Sequence, residues 1–319
     1  MSPRELIILG TSSAVPTRDR NQNGYLLRWD GAGFLFDPGE ATQRQMLHAG
    51  VSAHDINWIC VTHFHGDHCL GIPGVVQRIA RDRVPHQVNA VYPASGETYW
   101  TRLRHAAAFA DTSVITPVPI AGDRIELPAG PVTLTAIPLS HPVDAYGYRI
   151  DEPPGVRMIP ALLAEHGIEG PLIGELQRAG TVTAPNGSTV HLAQCSRPRP
   201  GQSAAFIMDT RMCAGAHTLA AGVDLLVIES TFLSPEAALA DHYGHLTAAQ
   251  AGRIAAESGV RRLVLTHFSE RYKAADLPRF LDEAGQTYHG EITLAQDLMR
   301  VAVPPRLAVQ SAADDSVVP

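Results

Sequence analysis

The chain has 319 residues, of which 45% are hydrophobic and 18% are charged, and its formal net charge is −7. This composition is that of a globular protein with ample apolar side chains for a core, and it excludes disordered and collagen-like chains. An acidic balance also excludes a protein that coats nucleic acid non-specifically. No apolar run approaches the roughly 20 residues that cross a bilayer. No signal-peptide pattern precedes the first strand, so we expect a soluble cytoplasmic protein.

Short β-branched or aromatic runs bounded by turn residues predict strands along most of the chain. They cover residues 6–9, 25–29, 33–36, 58–61, 88–91, 132–137, 204–208, 225–228 and 262–265. Helical patterns lie between several of these runs, at residues 42–48, 71–81, 98–110, 247–258 and 277–284. Strands that are mixed with helices in this way predict an α/β layered fold with large mixed sheets.

Residues 151–200 break this pattern because prolines and glycines recur there, and 161–166 is the one helical stretch that we predict in this region. A loop region of this length inside a compact domain is usually functional. We therefore expect a catalytic domain formed by residues 1–150 and 201–303, with residues 151–200 inserted as a Pro/Gly-rich arm. Residues 304–319 are small, polar and acidic, and we expect them to be a disordered tail.

A dense cluster of ligand-type side chains directly follows the strand predicted at residues 58–61. The cluster is His63-x-His65-x-Asp67-His68. Alternate spacing puts His63 and His65 on one side of an extended segment, so both imidazoles can reach one ion. Asp67 and His68 come after a turn and are placed for a second ion close by. Imidazole nitrogen and carboxylate oxygen are zinc ligands, and catalytic zinc sites keep a position open for water.

The remaining ligands are expected just past the ends of other strands, where the candidates are His141, Asp209 and His267. One zinc ion is assigned to His63, His65, His141 and Asp209. The other is assigned to Asp67, His68, His267 and a bridging Asp209. Two such ions lower the pKa of bound water and stabilise the attacking and leaving oxygens of a displacement, so the predicted reaction class is hydrolysis. Asp67 is also a candidate acceptor for the proton of the nucleophile.

The run from His63 to His68 resembles the metal motif of the metallo-β-lactamase superfamily. Residues 9–17 with Arg20-Asn21, residues 36–45 and residues 265–272 narrow the resemblance to the ribonuclease Z family, which trims the 3′ trailer from precursor tRNA. The resemblance implies a four-layer αββα sandwich with an inserted flexible arm and two Zn²⁺ per chain. It also implies that Asp37 lies behind the ligands.

The resemblance gives roles to a glutamate and a histidine outside the ligand set. Glu229 and His245 match a Glu–His pair with which the family protonates the departing 3′-oxygen, and His242 is a second candidate donor. Such a donor is an imidazolium that a carboxylate orients. Ile228 and Ser230 depart from the residues that are usual around the glutamate.

Substrate contacts are implied at two further places. Gly170, Pro171 and Leu172 resemble the glycine-proline element of the arm that grips the tRNA elbow, and Arg271 is a candidate phosphate clamp. The arm has four arginines and five acidic residues, so it is not basic as an RNA-binding arm should be. Either binding depends on a few placed arginines and backbone N–H groups, or the arm is weak or a mere surface insertion.

The sequence therefore predicts a dizinc endoribonuclease that removes the 3′ trailer from precursor tRNA and leaves a tRNA 3′-hydroxyl and a 5′-phosphorylated trailer. The alternative is a small-molecule phosphodiesterase or another hydrolase of the same fold, which would not need the arm. A catalytically silent binding module is disfavoured because all seven ligand candidates are present. The resemblance also implies a homodimer in which the arm of one subunit serves the active site of the other.

Overall fold

The computed structural model describes residues 4–111 and 114–307. Within these residues the first of two seven-stranded sheets is formed by β1 (Glu5–Gly10), β2 (Gly24–Trp29), β3 (Ala32–Phe36), β4 (Trp58–Cys60), β5 (Val88–Pro93), β6 (Ile115–Ile120) and β18 (Arg300–Ala302). The spatial order is β18-β1-β2-β3-β4-β5-β6, and β3 to β6 are parallel. Residues 308–319, which make up most of the predicted tail, lie outside the described residues.

The second sheet is formed by β7 (Ile125–Ala129), β8 (Val132–Pro138), β9 (Tyr146–Asp151), β14 (Ser203–Ile207), β15 (Leu225–Glu229), β16 (Arg262–Thr266) and β17 (Glu291–Leu294). Its order is β17-β16-β15-β14-β9-β8-β7, and β14 to β17 are parallel. Strand β9 is antiparallel to both of its neighbours, β8 and β14. Strands β8, β14, β15 and β16 therefore point the same way and end at one edge of the sheet.

Helices pack on the outer face of each sheet. The helices of this part of the chain are α1 (Thr42–His48), α2 (Gly66–Cys69), α3 (Ile72–Arg81), α4 (Glu97–Arg104), α8 (Ala214–Ala220), α9 (Ala237–Tyr243), α10 (Ala248–Glu257) and α11 (Leu277–Gly285). One apolar cluster lies between the first sheet and α1, α3 and α4, and another lies between the second sheet and α8, α10 and α11. A third cluster lies between the two sheets. These three apolar layers define the predicted αββα sandwich.

The strands supply side chains to two of these layers at once, because successive side chains point to opposite faces. In β1, Leu6 and Ile8 lie in the cluster between the sheets, while Ile7 and Leu9 face the helices. All four side chains are at most 1% exposed. A strand buried on both faces is a continuous apolar run, and this is why the sequence pattern marked the central strands clearly.

One predicted helix in this part of the chain is too long, and several strands were not predicted, β6 among them. The helix predicted at residues 98–110 ends at Arg104, whose side chain bonds Asp111 and the Ile115 carbonyl. Strand β6 was not predicted because Pro117 and Pro119 interrupt its pattern. It lies at the edge of the sheet, where proline is tolerated because one side of the strand needs no hydrogen-bond donors.

The chain divides into two compact units, one formed by residues 1–151 and 203–304 and the other centred on residues 152–202. The second unit has two antiparallel ribbons, β10 (Gly155–Met158) with β13 (Ser196–Arg199) and β11 (Thr181–Thr183) with β12 (Thr189–His191). Its helices are α5 (Pro160–Glu165), α6 (Pro171–Ala179) and α7 (Leu192–Cys195). It has a small core of its own, formed by Leu163, Ile168, Leu176, Val182, Ala184, Val190 and Cys195.

The prediction that residues 151–200 form a loop region with a single helix is therefore wrong. Helix α6 begins at Pro171 and ends at Ala179, and Gly180 after it has the left-handed conformation typical of a helix C-terminus. The many prolines and glycines here terminate short elements and do not prevent them. Among the described residues, no helix combines the length and the apolarity that a membrane span requires.

Candidate metal centre

The topology brings the ends of strands from both sheets to one place. His63 follows β4 in the first sheet, while His141, Asp209 and His267 follow β8, β14 and β16 in the second sheet. The carboxyl ends of parallel strands meet at one edge of a sheet, which is where ligands bind in open α/β sheets. The short helix α2 adds the remaining ligand-type side chains of the His63–His68 run.

A first group of four side chains has its ligand atoms within 4.8 Å of one another: His63, His65, His141 and Asp209. His63 Nε2 lies 3.5 Å from Asp209 Oδ2, and His141 Nε2 lies 3.9 Å from the same oxygen. His65 Nδ1 lies 3.2 Å from His141 Nε2. These are the four side chains that the sequence assigned to one ion.

A second group is formed by Asp67, His68 and His267. Asp67 Oδ2 lies 3.2 Å from His68 Nε2 and 3.4 Å from His267 Nε2. Asp209 Oδ1 lies 3.3 Å from His68 Nε2 and 3.2 Å from His267 Nε2. The Asp209 carboxylate therefore faces both groups, one oxygen toward each, as a bridging ligand would.

Hydrogen bonds behind the site turn three imidazoles so that Nε2 points inward. The Nδ1 atom of His68 lies 2.8 Å from Asp37 Oδ2, and that of His141 lies 3.0 Å from the Gly244 carbonyl oxygen. The Nδ1 atom of His63 lies 3.0 Å from Thr62 Oγ1. An acceptor at Nδ1 fixes the tautomer in which Nε2 carries a free lone pair, and this tautomer is the one that binds metal.

The backbone at three of these positions is strained. Asp37, Asp209 and His267 have φ angles of 42°, 30° and 62°, a region that L-residues with side chains rarely adopt. Such conformations cost on the order of 1–3 kcal/mol each and cluster at functional sites. Here the left-handed turns aim the side chains into the site immediately after the strands end.

A metal fits this arrangement because buried polar atoms in the site lack other partners. Among the described residues, His63 Nε2 and Asp209 Oδ1 are buried without a hydrogen bond. Burial holds the pKa of His63 well below its usual value, with a further contribution from His68, and burial lowers the pKa of His141. Neutral imidazoles next to a buried carboxylate are the donor set that a divalent cation needs. The two groups together are suited to a dinuclear metal site.

Glu229 and His245 form a pair beside the second group. His245 Nδ1 lies 3.2 Å from Glu229 Oε2, and Glu229 is fully buried at the end of β15. The backbone N–H of Thr210 donates to Glu229 Oε1 at 2.7 Å. Burial lowers the pKa of His245, but the carboxylates of Glu229 and Asp209 outweigh it and raise this pKa to about 9. These two carboxylates therefore favour the protonated form of the His245 imidazole.

The other predicted residues lie farther from the ligands or in the second unit. His242 is exposed, with its ring 4.9 Å from that of Tyr243. Arg271 is exposed, with its guanidinium carbon 5.0 Å from the centre of the Phe232 ring. Three residues of the second unit form the start of α6 and are exposed or half-buried: Gly170, Pro171 and Leu172.

Sequence reasoning missed several neighbours of the ligands. Thr62 and Thr231 contact His63 and His267, and the Asn23 amide nitrogen lies 3.3 Å from His68 Nε2. A single threonine or asparagine has no spacing signal of its own. A clue existed for Thr62 alone, because Thr-His-Phe recurs at residues 62–64 and 266–268, just after β4 and β16.

Comparisons with known proteins show the family of this chain. The model of the metallo-beta-lactamase superfamily matches residues 17–152, and that of a beta-lactamase superfamily domain matches residues 187–268. Ribonuclease Z of Thermobifida fusca is 60% identical over 307 residues, which are 96% of this chain and 96% of that protein. Ribonuclease Z of Nocardia farcinica is 59% identical over 307 residues, 96% of this chain and 100% of its own. The chain belongs to the ribonuclease Z family.

Solved structures confirm the predicted metallo-β-lactamase fold. Human tRNase Z, short form, superposes with a TM-score of 0.67 at 22% identity and covers 94% of this chain and 100% of its own. The metallo-beta-lactamase fold protein YhfI from Bacillus subtilis gives a TM-score of 0.66 at 20% identity, covering 94% and 99%. Both sheets and the flanking helices of this ribonuclease Z-family chain thus follow a known architecture.

Proposed function

We propose that this chain is a zinc-dependent endoribonuclease that removes the 3′ trailer from precursor tRNA and leaves a tRNA 3′-hydroxyl and a 5′-phosphorylated trailer. The observation that carries the proposal is the convergence of seven ligand side chains next to the Glu229–His245 pair. Metal-assisted hydrolysis needs the ligands, and the departure of a nucleoside 3′-oxygen is faster when an acid protonates it.

The two groups of side chains supply a ligand set for each ion. One zinc ion would be held by His63, His65, His141 and Asp209, and the other by Asp67, His68, His267 and Asp209. When bound, the two ions lower the pKa of water to near 7 and stabilise the charge that develops on the attacking and leaving oxygens. Ribonuclease Z-family membership supports zinc as the metal.

Asp67 has a second role in this proposal, as acceptor of the nucleophile's proton. Burial raises the pKa of Asp67, but His68 and His267 outweigh this effect and hold the pKa well below its usual value. The side chain is therefore a carboxylate, and its Oδ2 faces the site between the two imidazoles. A carboxylate in this position can accept a proton without leaving its place among the ligands.

His245 is the proposed proton donor for the leaving oxygen. Its Nδ1 is bound to Glu229, so Nε2 remains available to a substrate, and Glu229 both orients and charges the ring. His242 is less suited to this role because its exposed ring contacts Tyr243, with no carboxylate behind it among the described residues.

Two sets of residues are proposed to bind the tRNA. Arg271 lies against Phe232, whose ring centre is 5.9 Å from that of His245, so one aromatic ring separates its guanidinium from the proposed acid, and the guanidinium can clamp a phosphate there. Gly170, Pro171 and Leu172 are assigned to the grip on the tRNA elbow.

Among the described residues of the second unit, not every arginine has a carboxylate partner. Arg199 is paired with Glu152 at 3.1 Å. Arg157 and Arg197 are exposed and face each other across the β10–β13 ribbon, where directly opposed side chains share one face. Two adjacent positive charges repel each other, and a bound phosphate would turn this repulsion into attraction. We therefore propose this ribbon as the basic contact of an otherwise non-basic arm.

We propose that residues 1–150 and 201–303 are the catalytic domain, that residues 151–200 are the substrate arm, and that residues 304–319 are a tail. The family resemblance also supports a homodimer, in which the arm of one subunit serves the active site of the other, and a cytoplasmic location.

A paired assay tests the function. The zinc-loaded protein is incubated with a precursor tRNA that has a short 3′ trailer and, separately, with a nitrophenyl phosphodiester. We expect cleavage of the tRNA directly before the trailer, loss of both activities in Asp67→Ala, and no loss in the control Asp123→Ala, whose side chain is exposed. Hydrolysis of the small ester with no cleavage of the tRNA would overturn the proposal in favour of a small-molecule phosphodiesterase.

A further inference from the structure

We propose that Thr231 is a positioning residue that couples the metal ligand His267 to the Glu229–His245 pair, an inference that rests on the function proposed above. The Thr231 side chain is buried, with 2% exposure. Its Oγ1 lies 2.5 Å from Glu229 Oε2 and 2.7 Å from His267 Nδ1. One hydroxyl thus contacts the carboxylate of the proposed acid and the imidazole of a proposed ligand.

The directions of these two hydrogen bonds follow from counting protons. A carboxylate only accepts, and a threonine hydroxyl has a single proton to donate. The Thr231 hydroxyl therefore donates to Glu229 and can only accept from His267, so His267 Nδ1 carries a proton. His267 Nε2 then has a free lone pair, and this is the atom that faces Asp209 at 3.2 Å. The ligand is held in its metal-binding tautomer by a carboxylate that it does not touch.

The same hydroxyl also holds Glu229 in place. The carboxylate receives the Thr210 N–H at Oε1 and the Thr231 hydroxyl at Oε2, and His245 Nδ1 lies 3.2–3.3 Å from both oxygens. Removal of the hydroxyl would leave a buried imidazole N–H without an acceptor and a buried carboxylate short of one donor. Unsatisfied buried polar groups of this kind are costly, so both residues would move to find other partners.

Thr62, on the other side of the site, also places its hydroxyl between a proposed ligand and a carboxylate, and comparison with it shows how Thr231 differs. Thr62 Oγ1 lies 3.0 Å from His63 Nδ1 and donates to Asp37 Oδ2 at 2.8 Å. Asp37 also lies 2.8 Å from His68 Nδ1, so this second relay joins one proposed ligand to another. The Thr231 relay differs because its carboxylate serves His245, which is not in either proposed ligand set.

The test uses variants that differ in one hydroxyl. Thr231→Val keeps the shape without the hydroxyl, and Thr231→Ser keeps the hydroxyl. Thr218→Val removes a threonine hydroxyl in α8 whose hydrogen bond, among the residues that the structure describes, goes to the Ala214 carbonyl. Zinc is titrated into each metal-free protein in competition with a chromophoric chelator. We expect Thr231→Val to raise one of the two zinc dissociation constants about tenfold or more, the size typical for partners behind a ligand. The serine variant and the Thr218→Val control should match the original protein.

A double-mutant cycle of Thr231 and Glu229 then distinguishes coupling between these two residues from a general loss of structure at the site. In Glu229→Gln, one carboxylate oxygen becomes an NH₂ group, which only donates, so the one remaining oxygen cannot accept from both Thr210 and Thr231. If that group faces Thr231, the hydroxyl turns toward His267 and favours the wrong tautomer, so zinc binding weakens although Glu229 contacts no proposed ligand directly. We expect this effect in the original background and its disappearance in Thr231→Val.

Independent, additive effects of the two substitutions would overturn the proposal, and so would wild-type zinc affinity in Thr231→Val. Thermal unfolding of the metal-free proteins is the control for folding, and rescue by Thr231→Ser excludes a general packing defect. Because the readout is zinc affinity, the test does not depend on the substrate. A failure of tRNA cleavage would count against the proposed function and not against this coupling.

Discussion

The carboxylate of Asp209 lies 3.2 Å from His267 Nε2, although the two residues end different strands and each has a positive φ angle. The other oxygen of the same carboxylate lies 3.5 Å from His63 Nε2, on the far side of the site. A single side chain is thus shared by ligands that come from both sheets. Asp209 is therefore the residue that links the two ligand groups.

We predict that Asp209→Asn releases metal from both groups, because each proposed ion loses an anionic ligand and the amide cannot bridge them equally. The metal content of the zinc-equilibrated variant, measured by inductively coupled plasma mass spectrometry, should fall well below two ions per chain. Asp123→Asn, an exposed site, is the control and should keep the original content. Retention of two tightly bound ions in Asp209→Asn would contradict the bridging role.

The Glu229–His245 pair predicts a change in pH dependence. The two carboxylates raise the pKa of His245, so the acid form is present below that pKa and is lost as the pH rises through it. Glu229→Gln removes one of the raising charges, so the alkaline limb of the kcat profile should move to lower pH. His245→Ala should reduce kcat about 10²- to 10⁴-fold, the usual contribution of a general acid. An alkaline limb that stays in place in Glu229→Gln would show that another group is the acid.

Replacement of the second unit tests the substrate assignment. Asp151 and Ser203 are directly paired between β9 and β14, so a two-residue Asn-Gly turn can replace residues 152–202 and close a hairpin. We expect cleavage of precursor tRNA to weaken sharply, because the arm contacts are gone, while turnover of the small phosphodiester persists at the intact metal centre. Unchanged tRNA cleavage would refute the arm assignment.

Gly39 supports the ligands from behind. A Cβ atom at this position would lie 2.2 Å from the backbone oxygen of Asp67 and 2.7 Å from that of Asn23. Gly39→Ala must therefore displace α2, and we expect both a destabilisation of about 1–3 kcal/mol, as for other overpacked sites, and weaker zinc binding. Gly285→Ala has no atom within 4 Å of the new Cβ and is the control. Denaturant unfolding and zinc titration of both variants check this, and equal behaviour of the two would contradict it.

The layered fold and the position of the site were predictable because they follow from local patterns. Strands such as β1 and β15 are buried on both faces and are therefore continuous apolar runs. Once those runs are placed, a histidine or aspartate just after each run must lie near the others, because the parallel strands end at one edge. The structure brings together His141, Asp209 and His267 of the second sheet in this way, and His63 joins them from the first sheet.

The features that escaped prediction depend on tertiary contacts. Strand β6 contains two prolines that only an edge position allows, and the helices and ribbons of the second unit are each too short to show a clear period. Thr231 is two residues from Glu229 in sequence, but its contact with His267 exists only because β15 and β16 are neighbours. No spacing rule connects those two residues in the sequence.

The most direct test of the account is to locate the metal. Crystals of the zinc-loaded protein are measured with X-rays on both sides of the zinc absorption edge, and an anomalous difference map is calculated. We predict two peaks about 3.5–4 Å apart, one among His63, His65 and His141 and the other among Asp67, His68 and His267, with Asp209 between them. A single peak, or peaks away from these side chains, would contradict the dinuclear centre on which the proposed hydrolysis depends.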